Sequence, residues 1–341
     1  MLASAVLRPH GKNQWLVSGK LDAFLGRSGA RQPFPSGRAT QPGFIGGRAM
    51  DSHNALAQVA LKLGGLTIAG FSISGLATYL QIPELDVCFD MGECPLSSLS
   101  LNHVFLTHAH GDHARCLPRH WQVRRMLGNP RPAAYFLPEA IRAGCERWIR
   151  AEAAFEGVPD EDVETPALRG LHASPDLVEL PHRKDLRVRA FAVTHSVPSL
   201  GYTILAHKKK LLPAYAGLPG PEIAKLRKQG VEVQADVADP LVTFIGDCIG
   251  ESLLAEAHIW QSPVVIIEAT FLEAGEEALA AKKMHTHLAE IAHVLDELGD
   301  RVATQHVVLK HFSMKYSADQ VRSLVGAGIP ERFRDRIRIL L

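Results

Sequence analysis

A short motif rich in histidine and aspartate follows one apolar segment of the chain. In VFLTHAHGDHARCLP, residues 104–106 predict a strand, and His108, His110, Asp112 and His113 follow it closely. Imidazole nitrogens and carboxylate oxygens bind divalent cations, and a histidine-rich set suits zinc best. The two histidines two residues apart leave the strand end on the same side and can share one ion, whereas Asp112 and His113 can reach a second ion after the turn. The motif therefore predicts a metal site in the loop after a strand.

The segments around the motif are short apolar runs closed by turn residues. LTIAGFSISG, ATYLQI and LDVCFDMG predict the strands of a β-meander, and later β-branched runs predict further strands. Apolar residues at helical spacing predict a helix over 137–157 and another over HLAEIAHVLDELG, which ends at Gly299. Strands followed by strands that alternate with helices favour a mixed α/β sandwich of two sheets with helices outside. We find no internal repeat.

The composition indicates a folded domain without a strong overall charge. Of 341 residues, 46% are hydrophobic and 21% are charged, enough apolar material for one large domain or two small ones. The formal net charge is +1, so an anionic substrate would need a local basic patch or a metal. No apolar run reaches the length of about 18 residues that a membrane-spanning helix needs, so we expect no membrane partner. Five cysteines without a CxxC pair favour reduced thiols, and we expect a cytoplasmic protein.

The first 49 residues differ from the rest of the chain. They are rich in Gly, Pro, Ser, Gln and Arg, and they contain seven basic residues against the single acid Asp22. We expect a disordered or dispensable extension over 1–49 and a folded domain over 50–341. Two interpretations of the extension stay open: an Arg-rich, acid-poor targeting segment, or an upstream start codon with Met50 as the effective beginning.

Six further blocks, together with the metal motif, resemble one enzyme family. The blocks are FDMGECP (89–95), HSVPSLGY (195–202), FIGDC (244–248), EATF (268–271), MHTHLAEIA (284–292) and KHFSMKY (310–316). They are similar to the signature blocks of ribonuclease Z, the tRNA 3′-processing endonuclease of the metallo-β-lactamase superfamily. The resemblance covers about residues 64–325 and is strongest to the short, plant-type form, which segment 214–233 also resembles. It implies a four-layer αββα metallo-β-lactamase sandwich whose catalytic domain spans 50–341.

The resemblance implies seven metal ligands and two zinc ions, with manganese or iron as alternatives. The first ion would be held by His108, His110 and His195, the second by Asp112, His113 and His311, with Asp247 as the bridge. His195, Asp247 and His311 each close a predicted strand, in FAVTH, VTFIGD and VVLKH. Two such ions hold a hydroxide at neutral pH, so the implied reaction is hydroxide attack on phosphorus.

The resemblance also implies which residues assist the chemistry. Asp112 is expected to be essential for cleavage, His285 matches the histidine that protonates the leaving 3′ oxygen, and Glu268 matches the carboxylate that orients this histidine. His287 is the rival for the role of His285. The chain departs from the family pattern at Lys315, where an arginine is usual and can grip two oxygens.

Basic residues indicate where an RNA substrate would be held. Lys208, Lys209 and Lys210 follow a predicted strand, and we expect a short substrate arm near 206–236. Ser313 and Lys315 belong to the last block and are implied as substrate-binding residues beside the metals. The alternative is that these lysines form an ordinary solvated face.

Our leading hypothesis is a dizinc endoribonuclease that cleaves the 3′ trailer of precursor tRNA. The alternative is a metallo-β-lactamase-fold hydrolase of a small phosphodiester or ester, which the absence of a long arm between Tyr202 and Asp247 favours. A third hypothesis, a binding protein without catalysis, is disfavoured because all seven expected ligands and His285 are present. Relatives of this kind are often dimers, so a homodimer is an expectation.

Overall fold

The computed structural model describes residues 58–129 and 131–341, so the extension predicted over 1–49 lies outside the described residues. The strands in these ranges are β1 (Val59–Leu63), β2 (Leu66–Ile73), β3 (Ala77–Ile82), β4 (Val87–Phe89), β5 (His103–Phe105), β6 (Ala134–Pro138), β7 (Ala167–Leu171), β8 (Val178–Leu180), β9 (Arg183–Val193), β10 (Ser199–Leu211), β11 (Gln234–Phe244), β12 (Val264–Glu268), β13 (His306–Lys310) and β14 (Ile337–Ile339). The helices are α1 (Gly111–Ala114), α2 (Leu117–Met126), α3 (Glu139–Phe155), α4 (Gly220–Lys228), α5 (Glu251–Ala255), α6 (Glu277–Lys283), α7 (Leu288–Leu298), α8 (Ala318–Gly328) and α9 (Glu331–Arg334). None of these helices is long and apolar enough to cross a membrane.

The strands form two seven-stranded sheets. Sheet 1 contains β1 to β7 in chain order, and sheet 2 contains β8 to β14 in chain order. In sheet 1 the pairing is antiparallel from β1 to β4 and parallel from β4 to β7. In sheet 2 it is antiparallel from β8 to β11 and parallel from β11 to β14. The two halves of the chain therefore share one topology, although the sequence shows no repeat.

Three apolar clusters hold four layers together. The first lies between the sheets, where the rings of Phe89 and Phe244 stack with centroids 4.5 Å apart. The second packs sheet 2 against α7 and α8, through residues such as Ile291 and Val325. The third packs sheet 1 against α2 and α3, through residues such as Leu117. Helices thus cover both outer faces, which confirms the predicted four-layer αββα sandwich.

The two predicted helices are present, and local signals explain their ends. The helix predicted over 137–157 is α3, and the segment HLAEIAHVLDELG forms α7. A capping box joins His287 and Glu290 at the start of α7, and the helix ends at Gly299, whose φ is 53°. Helix α4 was not predicted, because the prolines and glycines of 213–221 indicate a loop.

Strands β10 and β11 extend beyond the rest of sheet 2. β10 pairs with β9 only as far as Ala206, and β11 pairs with β12 only from Val242. Beyond these residues β10 and β11 pair only with each other, and this pairing ends at Leu211 and Gln234. We call residues 207–239, which include this two-stranded ribbon and α4, the arm. It occupies the region of the arm predicted near 206–236.

Candidate metal centre

The metal motif is held by close backbone packing after β5. His113 lies in α1, and the carbonyl of Asp112 lies against Gly92, where a Cβ would be 2.0 Å from that oxygen. The amide of Gly75, in the turn between β2 and β3, donates to Oδ2 of Asp112 at 2.8 Å. Glycine at position 92 therefore allows the loop to pass close to the end of β4, and the turn fixes one carboxylate.

The first predicted ligand group converges. Nδ1 of His110 lies 3.1 Å from Nε2 of His108 and 3.2 Å from Nε2 of His195. Oδ2 of Asp247 lies 3.8 Å from Nε2 of His108. These four side chains offer ligand atoms that all lie within 4.8 Å of one another. His195 follows β9 and Asp247 follows β11, so both come from strand ends of sheet 2, as predicted.

The second predicted group converges on the other oxygen of the same aspartate. Oδ1 of Asp247 lies 3.3 Å from Nε2 of His113 and 3.4 Å from Nε2 of His311. Oδ2 of Asp112 lies 3.7 Å and 3.5 Å from the same two nitrogens. Asp247 thus presents one oxygen to each group.

Neighbouring groups fix the direction of the histidine rings. Nδ1 of His113 donates to Asp90 at 2.8 Å, and Nδ1 of His195 donates to the carbonyl of Met284 at 2.8 Å. Nδ1 of His311 lies 3.0 Å from the hydroxyl of Thr270. In each ring Nδ1 is engaged by an outer partner, so Nε2 is the nitrogen left to bind a metal.

Backbone strain is concentrated at the same place. Among the described residues other than glycine, five have positive φ, and three of them belong to this centre: Asp90 (58°), Met284 (57°) and His311 (64°). A left-handed conformation is costly for a methionine or a histidine and persists only where surrounding contacts enforce it. Here Asp90 orients the ring of His113, and the carbonyl of Met284 orients the ring of His195. His311 is itself one of the predicted ligands.

The donor set fits divalent cations. Oδ1 of Asp247 is buried and has no hydrogen-bond partner in the part of the chain that the structure describes. Burial lowers the pKa of His113, but the charges of Asp247 and Asp90 more than offset this and raise it to about 10. Without an ion this imidazole carries a proton, so metal binding must release it. Five histidines around the carboxylates of Asp112 and Asp247 suit zinc, and the same nitrogen and oxygen atoms also accept manganese or iron.

A histidine–carboxylate pair adjoins the ligands. Nδ1 of His285 donates to Oε1 of Glu268 at 3.0 Å and lies 3.8 Å from Oδ2 of Asp247. Burial lowers the pKa of His285, but the hydrogen bond and charge of Glu268 raise it to a net value above the ordinary one. Glu268 is fully buried and also accepts the amides of Cys248 and Thr286 at 3.0 and 3.1 Å. The pair can hold a proton next to the centre.

His287 has a different environment from His285. Its Nδ1 accepts the amide of Ala289 at 3.1 Å, and its Nε2 donates to the carbonyl of Glu273 at 2.9 Å. Both ring nitrogens are therefore used at the N-terminus of α7. Of the two rival histidines, the structure brings only His285 to the ligand groups.

Three of the four predicted substrate-binding lysines form ion pairs with carboxylates. In the arm, Nζ of Lys208 and Nζ of Lys210 lie 2.6 and 3.2 Å from Oδ2 of Asp239, while Lys209 is exposed. Lys315 follows His311 by four residues in the chain and forms ion pairs with Glu273 and Glu276.

Ser313 is near the ligands by chain position. It follows His311 by two residues, and its amide donates to the carbonyl of Thr270 at 3.1 Å. Its side chain is half-buried.

The chain is similar in sequence to several known proteins. No protein-family model matches the chain. It is 34% identical over 274 residues to the chloroplastic tRNase Z TRZ2 of Arabidopsis thaliana, which covers 80% of this chain and 74% of that protein. It is 30% identical over 281 residues to tRNase Z TRZ1 of Arabidopsis thaliana, which covers 82% of this chain and 96% of that protein. The chain belongs to the ribonuclease Z family.

Ribonuclease Z enzymes are metal-dependent hydrolases with the metallo-β-lactamase fold, and this chain has the same α/β architecture. Among solved structures, unliganded yeast PDE1 matches with a TM-score of 0.52 and 12% identity over 80% of this chain and 96% of that one. At this identity the likeness concerns the fold alone.

The residues that orient the ligands were the part of the site that sequence reasoning missed. Thr107 and Thr270 were not singled out, yet the hydroxyl of Thr107 lies 3.0 Å from Nδ1 of His108 and 2.9 Å from Asp90. A Cβ on Gly246 would lie 2.4 Å from that same hydroxyl, so the close approach of the Asp247 loop requires glycine. Each of these residues lies within two positions of a predicted ligand or of Glu268 in the sequence. This proximity is the sequence feature that could have identified them.

Proposed function

We propose that this protein is a two-zinc endoribonuclease that removes the 3′ trailer of precursor tRNA. The observation that carries the proposal is the position of Asp247, whose two oxygens face two separate groups of three further ligands. Relatives named tRNase Z support the choice of substrate. Manganese and iron are the alternatives to zinc.

When bound at these ligands, the ions supply a hydroxide at neutral pH and neutralise charge that develops on the phosphoryl oxygens. The chain's own residues determine where they lie. Asp247 and the six other ligands would hold the ions, and the scissile phosphate would bind next to these residues. Attack on phosphorus then breaks the bond to the 3′ oxygen of the tRNA body, which leaves a 3′ hydroxyl there and a 5′ phosphate on the trailer.

The leaving 3′ oxygen needs a proton, which we assign to Nε2 of His285. Nδ1 of this ring is occupied by Glu268, so the second nitrogen is free to donate. Only 17% of the side chain of His285 is exposed, so bulk water competes little for the proton. Glu268 keeps its charge because its pKa is lowered overall: burial raises it, and the bond to His285 outweighs burial. A positioned donor of this kind contributes about 10²–10⁴ in rate.

The arm is assigned to the body of the tRNA. Lys209 and the basic side chains of α4, Lys225, Arg227 and Lys228, are exposed, and contacts of such cations with phosphates give salt-dependent affinity. Because Asp239 neutralises its two lysine partners in part, Lys209 and α4 carry more of the attraction than Lys208 and Lys210 do.

The second candidate function is hydrolysis of a small phosphodiester or ester. The pairing of Lys315 with Glu273 and Glu276 favours it, because a neutralised lysine attracts a polyanion less. One experiment separates the candidates: purified protein is incubated with precursor tRNA and with bis(p-nitrophenyl) phosphate, and kcat/KM is compared. Endonucleolytic cleavage at the trailer junction, with kcat/KM at least 10³-fold higher for tRNA, supports the first function. Slow cleavage of RNA beside fast hydrolysis of the small diester supports the second.

Two attributes accompany the proposal. All five cysteines are free thiols, which fits a reducing compartment such as the cytoplasm. A homodimer remains a prediction, and light scattering of the purified protein tests it.

A further inference from the structure

A groove of about 610 Å³ opens beside the metal centre. It is lined by the start of α3, by the residues after β7 and by the loop between β9 and β10. His195 and Ser196 form part of its wall, and the hydroxyl of Ser196 lies 3.5 Å from Nε2 of His110. A molecule bound over the metal ligands can therefore extend directly into the groove.

The lining favours a flat, neutral ring. Pro138, Leu171, Val197 and Pro198 supply apolar surface, and the exposed imidazole of His172 supplies an aromatic face. None of the described residues that line the groove is a lysine or an arginine. A phosphate would meet no cation there, whereas a nucleobase can stack on aromatic and apolar side chains without one. The volume also falls within the range of about 300–1,000 Å³ that is typical of small-molecule pockets.

One carboxylate in the groove is held in a fixed direction. Glu139, the first residue of α3, accepts the Nε–H of Arg142 with both oxygens at 3.0 Å. Its side chain lies on β7 at Gly170, where a Cβ would come within 1.6 Å of Oε2. A fixed carboxylate accepts hydrogen bonds from the amino or imino groups of a base. The first-turn amides of α3, which lack partners within the helix, are donors for base carbonyls.

We propose that this groove holds one unpaired nucleobase of the RNA substrate, from a nucleotide that flanks the scissile phosphate. The inference rests on the proposed endonuclease function and adds a recognition subsite to it. The base stacks between His172 and the proline surface, and its polar edge faces Glu139. Such a subsite selects substrates whose nucleotide next to the cleavage point is unstacked, and it fixes the position of the phosphate over the metal ligands.

The test combines a filled groove with a missing base. Ala173 lines the groove and is exposed, so Ala173→Trp places an indole in the space without replacing a ligand. Ala154→Trp, on the exposed face of α3 outside the groove, is the matched control. Each protein cleaves precursor tRNA with intact nucleotides and two versions that carry an abasic residue, one on the 5′ side and one on the 3′ side of the scissile phosphate. Metal content is measured for each variant.

We expect one abasic substrate to lose about tenfold in kcat/KM with the unmodified protein, the scale of one stacked base. Ala173→Trp should lose a similar factor with intact tRNA and nothing further with that abasic substrate. Ala154→Trp should behave like the unmodified protein. If the losses in kcat/KM from the variant and from the abasic substrate multiply, the proposed subsite is wrong. It is also wrong if the Ala173→Trp variant is as active as the unmodified protein. Failure of the unmodified protein to cleave intact precursor tRNA would instead contradict the proposed function.

A second pair of variants keeps the test decisive if Ala173→Trp loses metal. His172→Ala removes the stacking face, whereas His172→Phe keeps it. The expected result is a loss of about fivefold or more in kcat/KM for His172→Ala and restored activity for His172→Phe. Equal activity of the two variants would mean that no base stacks on this ring.

Discussion

Strands β10 and β11 carry different surfaces at their two ends. At one end β10 begins at Ser199, just after His195, and β11 ends at Phe244, just before Asp247. At the other end both strands continue into the arm. Since a strand advances about 3.3 Å per residue, Lys209 lies on the order of 33 Å along β10 from Ser199. One pair of strands thus connects the candidate metal centre with the candidate RNA-binding arm.

The two ends differ in how firmly their charged groups are held. Asp247 is 1% exposed, and its oxygens lie between histidines contributed by both sheets. Asp239 in the arm is 40% exposed and contacts two lysines that are themselves about half exposed. Catalysis tolerates little displacement of the reacting groups, so it suits side chains that are held by contacts on several sides. Exposed ion pairs, in contrast, can exchange partners when a polyanion approaches. The comparison predicts that substitutions at the metal end abolish turnover and that substitutions at the arm end change affinity.

The largest effect is expected from loss of the metals. We expect about two zinc equivalents per chain, and we expect chelation or Asp112→Ala to make cleavage of every substrate undetectable. Metal analysis and a cleavage assay check this. The matched control at the arm end is Asp239→Ala, which should keep its metals and its kcat. Full activity after exhaustive chelation would contradict the metal centre.

Loss of the proton donor should be next in size. His285→Ala should lower kcat about 10²–10⁴-fold with metal content unchanged, because a positioned general acid contributes on that scale. His287→Ala is the comparison variant: it removes the cap of α7, so it should cost about 1 kcal/mol of stability and leave kcat nearly intact. Thermal unfolding and single-turnover kinetics separate the two results. The reverse pattern would assign the proton to His287.

The arm should affect binding only. Replacement of Lys208, Lys209 and Lys210 by glutamate should raise KM for precursor tRNA at least tenfold and reduce the slope of log K against log salt. The value of kcat should change little, because the arm is far from the reacting phosphorus. Lys62→Glu, at an exposed position of β1, is a control for a basic residue outside the arm. Equal losses with tRNA and with bis(p-nitrophenyl) phosphate would show that the substitutions damage the fold instead.

The metal end was more predictable from the sequence than the arm. Local pattern and ligand chemistry indicate the motif after β5, whereas His195, Asp247 and His311 were expected only from the resemblance to a known family. The choice between His285 and His287 was harder, because both lie in the turn before α7. His287 forms a capping box with Glu290 at the start of α7. This motif can be recognised in the sequence only if the first residue of α7 is already known.

The arm and the shared topology of the halves depend on long-range pairing. The strands of the arm are joined across residues 212–233, and no local pattern states that Leu211 pairs with Gln234. Sheet 1 and sheet 2 repeat one order of strands, but β3 has 6 residues where β10 has 13, which conceals the repeat. The pairing of Lys208 with Asp239 is likewise a property of the register of β10 and β11, and it weakens the basic surface that the sequence suggested.

The smallest expected effect concerns a histidine at the end of β5 remote from the metals. His103 is buried, and its ring contacts the carbonyls of Asp86 at 2.9 Å and Pro181 at 2.8 Å. Burial lowers its pKa, but the hydrogen bond and charge of Asp86 outweigh burial and raise the pKa above the ordinary value of 6.5. A group whose pKa is raised on folding binds its proton more tightly in the folded state. Its stabilising contribution is therefore complete below pH 6.5 and is lost as the pH rises through the folded-state pKa.

The measurement is the free energy of unfolding in urea, with zinc present, for the unmodified protein and for His103→Gln. The difference between the two should shrink as the pH rises from 6 to 9. A difference independent of pH would mean that His103 stays neutral, with a single N–H to donate to one of the two carbonyls.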